Sequence, residues 1–584
     1  MFFQRLTMLR FVLLAAGLLF AGRLVYLQVL QGSALREKSE HNRLRWVRVS
    51  APRGQILDRK GRDIATNIPG AAAWLVPGEV PRKAWPQVMK RLVALGIFPN
   101  QQTAEKTLED FRRFPNYLPV RLASNMNIET VTRLQESLPS LPGVYVRNEP
   151  VRFYPDRTLA SHLIGYLREI DAEELAVLRE AKAYRLGDRL GKTGIERAYE
   201  ETLRGMEGGE EVEVDAMGRV LRRLRTVQPQ PGHPVTLTLD RDLQRIAEAG
   251  LAKHQGAVVA LDPNTGDVLA LVSAPEYDLN LMSGRITPEM LAWLHGAGKP
   301  ELNRATCGTY PPGSVFKIVT AVAALEHQAI KPNAYFYCNG VYHRIHCWKR
   351  SGHGALNLTE AVAQSCNVAF MQMAEKTGIQ PLADMGRRFG LGQPVGLLPQ
   401  VKPLLPGKEE HAGIIPEVRG LVPDPAWAKN VRHSPWMLGE TLQVGIGQSS
   451  LTLTPLQAAR VIAAIANGGK LVHPRLVKSA GDKPEPSVPP TPLELKPSTL
   501  QNVSRGLRAV TAEGTAKSLD PTLHIAGKTG TAQNPGGRGD HAWFVGYAPV
   551  ESPKIAVAVL VEHGGHGGAV AAPIAEAVIR EALK

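Results

Sequence analysis

Tyr310-Pro-Pro-Gly-Ser-Val-Phe-Lys317 runs directly into Ile318-Val-Thr-Ala-Val-Ala-Ala-Leu325. The prolines and the glycine break regular structure, and the alanine-rich apolar run after them is helical and buried. Ser314 therefore falls in the first turn of a core helix, with Lys317 one turn on along the same face. That placement suits nucleophilic catalysis. A serine hydroxyl needs a base within hydrogen-bond reach, and a helix N-terminus favours a developing oxyanion. The same residues also fit an N-cap serine beside an unrelated lysine. No other Ser-x-x-Lys occurs in the chain.

Working outward, two further short patterns lie downstream. Ser365-Cys-Asn367 follows Leu358-Thr-Glu-Ala-Val-Ala-Gln364, and Lys528-Thr-Gly-Thr531 follows Ile525-Ala-Gly527. Neither is specific alone: Ser-x-Asn is common in turns, and Lys-Thr-Gly starts at Lys192, Lys376 and Lys528. Only the last precedes a second threonine and then two strand-like runs, Trp543–Ala548 and Ile555–Val561. Upstream, Pro234–Asp240 alternates like a strand and leads into a helix through Leu251. Gly256–Leu261 and Val268–Ser273 flank Asp262-Pro-Asn-Thr-Gly-Asp267 as a hairpin. Ala571–Leu583 has the pattern of a final helix, and the proline-dense Gly481–Pro497 that of a surface excursion. Strands at both ends with helices between them predict an antiparallel sheet flanked by helices. Gly187-Asp-Arg-Leu-Gly-Lys-Thr193 looks like a phosphate-binding loop, but its glycine spacing is one residue short and no buried strand precedes it.

At 584 residues, 44% hydrophobic and 21% charged, the chain is long enough for two or three domains with ordinary cores. A net charge of +15 calls for an anionic neighbour: nucleic acid, a phospholipid surface or an acidic polymer such as cell-wall glycan. With no long Lys/Arg run and no zinc-finger or helix-turn-helix spacing, nucleic acid ranks last. Arg5 and Arg10 precede an apolar run, and Leu6 to Val29 covers a bilayer if Arg23 snorkels to the interface. The basic flank stays inside, which sends the rest of the chain out of the cytoplasm. A cleaved signal peptide and a buried core helix are the alternatives, although Ala21-Gly22-Arg23 is a poor cleavage site. The expected division is residues 1–30 as cytoplasmic stub and transmembrane anchor, 31–231 as a membrane-proximal α+β domain, and 232–584 as the catalytic domain.

Taken in order, Ser-x-x-Lys, Ser-x-Asn and Lys-Thr-Gly-Thr are the motif set of penicillin-binding proteins and class A β-lactamases. The chain resembles a class B penicillin-binding protein nearly from end to end. Arg53-Gly-Gln-Ile-Leu-Asp-Arg59 with Gly61, Arg152-Phe-Tyr-Pro155 through His162-Leu-Ile-Gly-Tyr166, and Gly194-Ile-Glu-Arg-Ala-Tyr199 with Leu203-Arg-Gly205 look like the three motifs of the family's pedestal, or dimerisation, domain. Tyr310–Ser314 and Gly352-His-Gly354 look closer to the elongation branch, penicillin-binding protein 2, than to the division branch. The resemblance implies a single transmembrane helix, an α+β pedestal, and an α/β transpeptidase domain of the penicillin-binding protein/serine β-lactamase type. It places the protein in the inner (cytoplasmic) membrane, single-pass, with its catalytic domain on the periplasmic side.

The resemblance also implies a mechanism. Ser314 attacks the penultimate D-alanine of a stem peptide ending D-Ala-D-Ala, and Lys317 accepts the serine proton. Ser365 relays a proton to the leaving amine, Asn367 holds Lys317 and the substrate amide, and Lys528 completes the catalytic set. Thr529, Gly530 and Thr531 line an edge strand that binds the peptide and its carboxylate. The N–H groups of Ser314 and Thr531 form the oxyanion hole. An amine from a second stem resolves the acyl-enzyme, and β-lactams are inhibitors that mimic the donor. A SEDS-family glycosyltransferase of the elongation machinery is the implied membrane partner.

Of four cysteines, Cys338, Cys347 and Cys366 lie with His353 between or beside the first two catalytic motifs. Three thiolates and an imidazole make a plausible tetrahedral set for a structural zinc, and relatives of penicillin-binding protein 2 carry a metal here. A Cys338–Cys347 disulfide and inert thiols are the alternatives. No organic cofactor is expected. Two competing functions stay open at this point: a catalytically idle scaffold of the wall-synthesis complex, and a β-lactamase-like or β-lactam-sensing protein, for which no convincing Glu-x-x-x-Asn water-activating motif is present.

Overall fold

A computed structural model describes residues 2–31, 44–111, 119–182, 184, 187–214, 220–284, 286–398, 416–534 and 539–584. The helix Phe2–Val25 continues as a π-helical turn to Leu30, and Leu13–Leu30 is long and apolar enough to cross a bilayer. Residues 32–43, which follow it, lie outside the described residues.

The chain forms two compact units and passes between them more than once. Residues 1–53, 67–151 and 204–232 make the first; residues 54–66, 152–203 and 233–584 make the second. In the first unit, Leu44–Val49, Gly208–Val214 and Val220–Val227 form an antiparallel three-stranded sheet. A separate small core gathers Ala73, Leu75, Leu92 and Leu134 from a strand and two amphipathic helices, Trp85–Ala94 and Ile128–Ser137. The pedestal-like motifs after Gly54 fall mostly in the second unit. Ile56, Tyr154, Leu163, Ile195 and Leu203 belong to its main core, and the buried Arg152 pairs with Glu196 at 2.7 Å. Hydrophobic burial, not chain order, sets that membership.

The second unit is built on a five-stranded antiparallel sheet: β1 (Gly256–Leu261), β2 (Val268–Ala274), β3 (Ala526–Ala532), β4 (His541–Ala548) and β5 (Ile555–Val561). The order across it is β2-β1-β5-β4-β3. Unbroken apolar runs such as Ile555-Ala-Val-Ala-Val-Leu-Val561 are buried at every position, which requires cover on both faces. Arg241–Leu251 and Ala571–Ala582 pack on each other and on the sheet; Pro455–Ala466 packs on β1, β4 and β5. The apolar helix Lys317–Glu326 packs against Asn367–Thr377 and Ile379–Arg388. Among the described residues strand β3 pairs with one strand, β4, so its far side is an edge. The proline-dense Gly481–Pro497 holds only two-residue strands, at Lys483–Pro484 and Thr491–Pro492, and is mostly exposed.

Candidate active site

Ser314 lies in a 3₁₀ turn, Gly313–Phe316, that leads into the buried helix starting at Lys317. Backbone crowding fixes this turn. Gly313 donates its N–H to the Gly447 carbonyl at 2.9 Å, and a Cβ on Gly447, at φ +77°, would stand 1.9 Å from the Gly313 oxygen. On the other side, a Cβ on Gly530 would meet Pro312 O at 3.2 Å and Val315 Cγ2 at 3.1 Å. Glycine at these points lets two backbones close on the serine turn. Trp543 adds a tether by donating its indole N–H to Pro311 O at 3.0 Å. Tyr310 donates to Glu562 at 2.6 Å, and the buried Arg304 holds that carboxylate at 2.9 Å.

Ser365 faces Ser314 from the loop before Asn367–Thr377. Its backbone sits at φ +53°, the left-handed region that a residue with a Cβ disfavours. Ser365 donates to Ser314 Oγ at 3.0 Å. Lys317 Nζ reaches Asn367 Oδ1 at 2.7 Å, Ser365 O at 2.8 Å and Ser365 Oγ at 3.3 Å. Lys528, on β3, donates to Ser365 Oγ at 2.9 Å and to Thr529 O at 2.9 Å. The five residues expected to carry catalysis therefore form one connected circuit centred on the Ser365 hydroxyl. The contact differs from expectation in one respect: Ser314 Oγ meets Ser365, while Lys317 is occupied by Ser365 and Asn367.

Both lysines are fully buried, with relative exposures of 1% and 0%. Burial pushes Lys317 down to about 8. Burial and the neighbouring charge of Lys317 push Lys528 well below the usual lysine value. Two cations sharing one dry pocket disfavour each other, so the pair is predisposed to hold a neutral amine at moderate pH. The Phe370 ring, 5.3 Å from Lys317 Nζ, supplies an apolar wall that also tolerates the charged form.

Along β3 the residues divide between the two faces of the strand. Gly530 is a close-packing position, while the Thr529 hydroxyl is bonded to Thr515 at 2.6 Å and Thr531 is half-buried. Thr515 was not legible in the sequence: it belongs to no motif and arrives on the turn after the helix Pro497–Ala512. As an edge strand, β3 can accept an extended peptide by adding a strand. The Ser314 amide, in the first turn of its helix, is among those that lack an intrahelical partner.

Cys338, Cys347, His353 and Cys366 form a second constellation, their ligand atoms all within 4.8 Å of one another. None is in a disulfide. His353 Nδ1 lies 3.5 Å from Cys338 Sγ and 3.6 Å from Cys347 Sγ. Tetrahedral zinc, at about 2.3 Å from sulfur and about 2.0 Å from nitrogen, separates those donors by about 3.5 Å. Cys347 and Cys366 share a hydrogen bond that pulls the Cys347 thiol down and pushes the Cys366 thiol up. The donor set fits a closed four-coordinate site. Cys366 stands between Ser365 and Asn367 and caps the helix that Asn367 begins.

Residues 256–580 match the penicillin binding protein transpeptidase domain family, and residues 48–237 match the penicillin-binding protein dimerisation domain family. The peptidoglycan D,D-transpeptidase MrdA of Acinetobacter baumannii is 35% identical, across 95% of this chain and 84% of its own. A Helicobacter pylori penicillin-binding protein, PBP2, solved in complex with MreC, superposes with TM-score 0.78 at 28% identity, covering 92% of this chain and 98% of that one. A chain of a peptidoglycan synthase complex that coordinates polymerization and crosslinking superposes with TM-score 0.69 at 33% identity, over 98% and 97%.

Proposed function

This chain belongs to the penicillin-binding proteins with dimerisation and transpeptidase domains, and from that premise we propose how its own residues carry the reaction. It is a serine-type peptidoglycan D,D-transpeptidase. Ser314 attacks the donor peptide's D-alanyl carbonyl, forming an ester and releasing the terminal D-alanine. The Ser314 proton passes along the Ser365 hydroxyl to a neutral lysine of the Lys317/Lys528 pair and returns to the departing amine by the same path. An acceptor amine from a second stem then attacks the ester and regenerates Ser314. The donor lies along the edge of β3, its carboxylate met by the hydroxyls of Thr529 and Thr531 beside Lys528. The amides of Ser314 and Thr531 bind the oxyanion.

One observation carries this reading: the hydrogen-bonded circuit Ser314–Ser365–Lys317/Lys528–Asn367 in a buried pocket. An idle scaffold has no need for two desolvated lysines around one serine. Intact-protein mass spectrometry after penicillin treatment tests it. A single adduct on the wild type, absent from Ser314→Ala, is expected; no adduct on a folded wild-type sample would remove the assignment.

Three further parts belong to the proposal. The apolar N-terminal helix anchors the protein in the cytoplasmic membrane with the catalytic unit outside. Cell elongation is the setting, and a SEDS-family glycosyltransferase is the partner, supported by the near-complete match to a synthase-complex chain. Cys338, Cys347, His353 and Cys366 hold a structural zinc, which would cross-link the loop carrying Ser365 and Asn367. Elemental analysis of purified protein, expected at one zinc per chain, checks the last point.

A further inference from the structure

Between the Ser314 turn and the Ser365 loop, residues 335–357 form a small β insert. Tyr335–Cys338 pairs with Gly354–Asn357, and Val341–Tyr342 pairs with Ile345–His346. The two-residue turn of the second hairpin is His343-Arg344, both at positive φ, 44° and 67°. Such turns strongly prefer Asn-Gly. Here a position where glycine would be easier keeps a cation at the tip. From Lys331 to Thr359 the sequence has no aspartate or glutamate, against Lys331, Arg344, Lys349 and Arg350. Arg344, Lys349 and Arg350 are exposed, and none forms an ion pair with a described residue.

The insert also displays aromatic rings. Tyr335 and Tyr337 project from one face of their strand, 72% and 68% exposed, and Trp348 is 58% exposed. Trp348 is nevertheless fixed: its indole N–H donates to Gln364 O at 3.1 Å, and its ring meets His353 edge-on at 5.2 Å. Gln364 immediately precedes Ser365. A flat ring is thus locked beside the catalytic loop, next in sequence to two unpaired cations. Exposed aromatic surface rimmed by polar groups marks an interaction site. Fixed rings with arginine are what recognition surfaces favour.

We propose that this insert is a docking site for a peptidoglycan strand, with sugar rings packed on Trp348 and Tyr337 and stem-peptide carboxylates paired to Lys349, Arg350 and Arg344. This rests on the transpeptidase reading of the Ser314 site. The occupant follows from charge and shape together. Pyranose faces present C–H groups that pack on aromatic rings, and carboxylates form charge-assisted hydrogen bonds with guanidinium and ammonium groups. An anionic lipid surface would use the cations but has no use for a ring pinned to Gln364. The insert would hold a strand near Ser365 independently of the edge of β3.

The test uses the full chain in detergent, with uncross-linked glycan strands bearing stem peptides as the probe. Strands stripped of peptide and anionic phospholipid vesicles are the comparisons. Charge reversal at Lys349→Glu with Arg350→Glu is expected to weaken strand binding at least about tenfold. Penicillin acylation should stay near wild type, which separates failure here from failure of the transpeptidase reading. Tyr337→Ala is expected to weaken intact and stripped strands alike. Unchanged strand affinity in these variants overturns the proposal, as do vesicles that compete as well as strands. Should the double reversal also cost acylation, Arg344→Glu on the hairpin turn decides: reduced strand affinity with normal acylation supports the site, and unchanged affinity overturns it.

Discussion

Gly447 and Gly313 hold each other by one hydrogen bond and leave no space for a side chain. Gly313 N donates to Gly447 O at 2.9 Å, and a Cβ on Gly447 would come within 1.9 Å of Gly313 O. Gly447→Ala should therefore displace the Ser314 turn. A shift of this kind costs about a hundredfold in rate. Stopped-flow acylation with a fluorescent penicillin should show that loss while the circular dichroism spectrum stays near wild type.

The acylation rate should rise with pH. With Lys317 as the base of the proposed relay, the reactive form is its neutral amine, and burial lowers its pKa to about 8. The rate should increase from pH 7 to pH 9 with a midpoint about 8. Stability moves the same way. The unfolded chain, with an ordinary lysine pKa of about 10.4, binds more protons between the two values, so folding gains as pH rises through that window. A rate that is flat from pH 7 to 9 would remove Lys317 as the titrating base.

Thr515 is expected to act through Thr529. Thr515→Val leaves the Thr529 hydroxyl without its 2.6 Å partner. Donor KM should rise about fivefold, the equivalent of about 1 kcal/mol, with kcat little changed. Thr515→Ser should restore it.

Arg152 and Glu196 form an ion pair with both side chains almost wholly buried. Glu196→Ala would strand the guanidinium and should lower stability by about 3–5 kcal/mol. Glu196→Gln keeps an acceptor for Arg152 and Tyr154 and should cost less. Denaturant midpoints compare the two.

Stripping metal should be felt at the serine. If zinc ties Cys366 to the insert, a strong chelator should lower the thermal midpoint and slow penicillin acylation together, and added zinc should reverse both. Acylation that survives complete zinc removal would uncouple the cluster from the Ser365 loop.

Four strands of the sheet were readable because they are mostly apolar runs, whose burial needs no knowledge of partners; β1, β2, β4 and β5 fall within two residues of their expected ends. The candidate catalytic set could be picked out because its three motifs are short, local and ordered, and the structure brings their residues together. Long-range placement was less accessible. Nothing in Arg152-Phe-Tyr-Pro155 says that Tyr154 and Ile195 join the core of the second unit, since periodicity describes an element and not its neighbour. Helical spacing put Lys317 beside Ser314, whereas the Ser365 hydroxyl stands in the circuit between them; a loop 48 residues downstream of Lys317 supplies it. Thr515 carries no local signal at all. The cysteine and histidine spacing matched no zinc finger because Cys366 comes from a helix cap and the other three candidate donors from a β insert.

The two buried lysines have a consequence for the medium in which this enzyme works. Mobile ions weaken interactions between charges they can surround, over a Debye length of about 8 Å at physiological salt. Neither lysine Nζ meets solvent, so salt has little hold on the interaction between the two side chains. The chemical step should follow proton activity while being nearly indifferent to osmotic and ionic change. An enzyme assembling a wall against fluctuating surroundings would then carry its own constant dielectric with it.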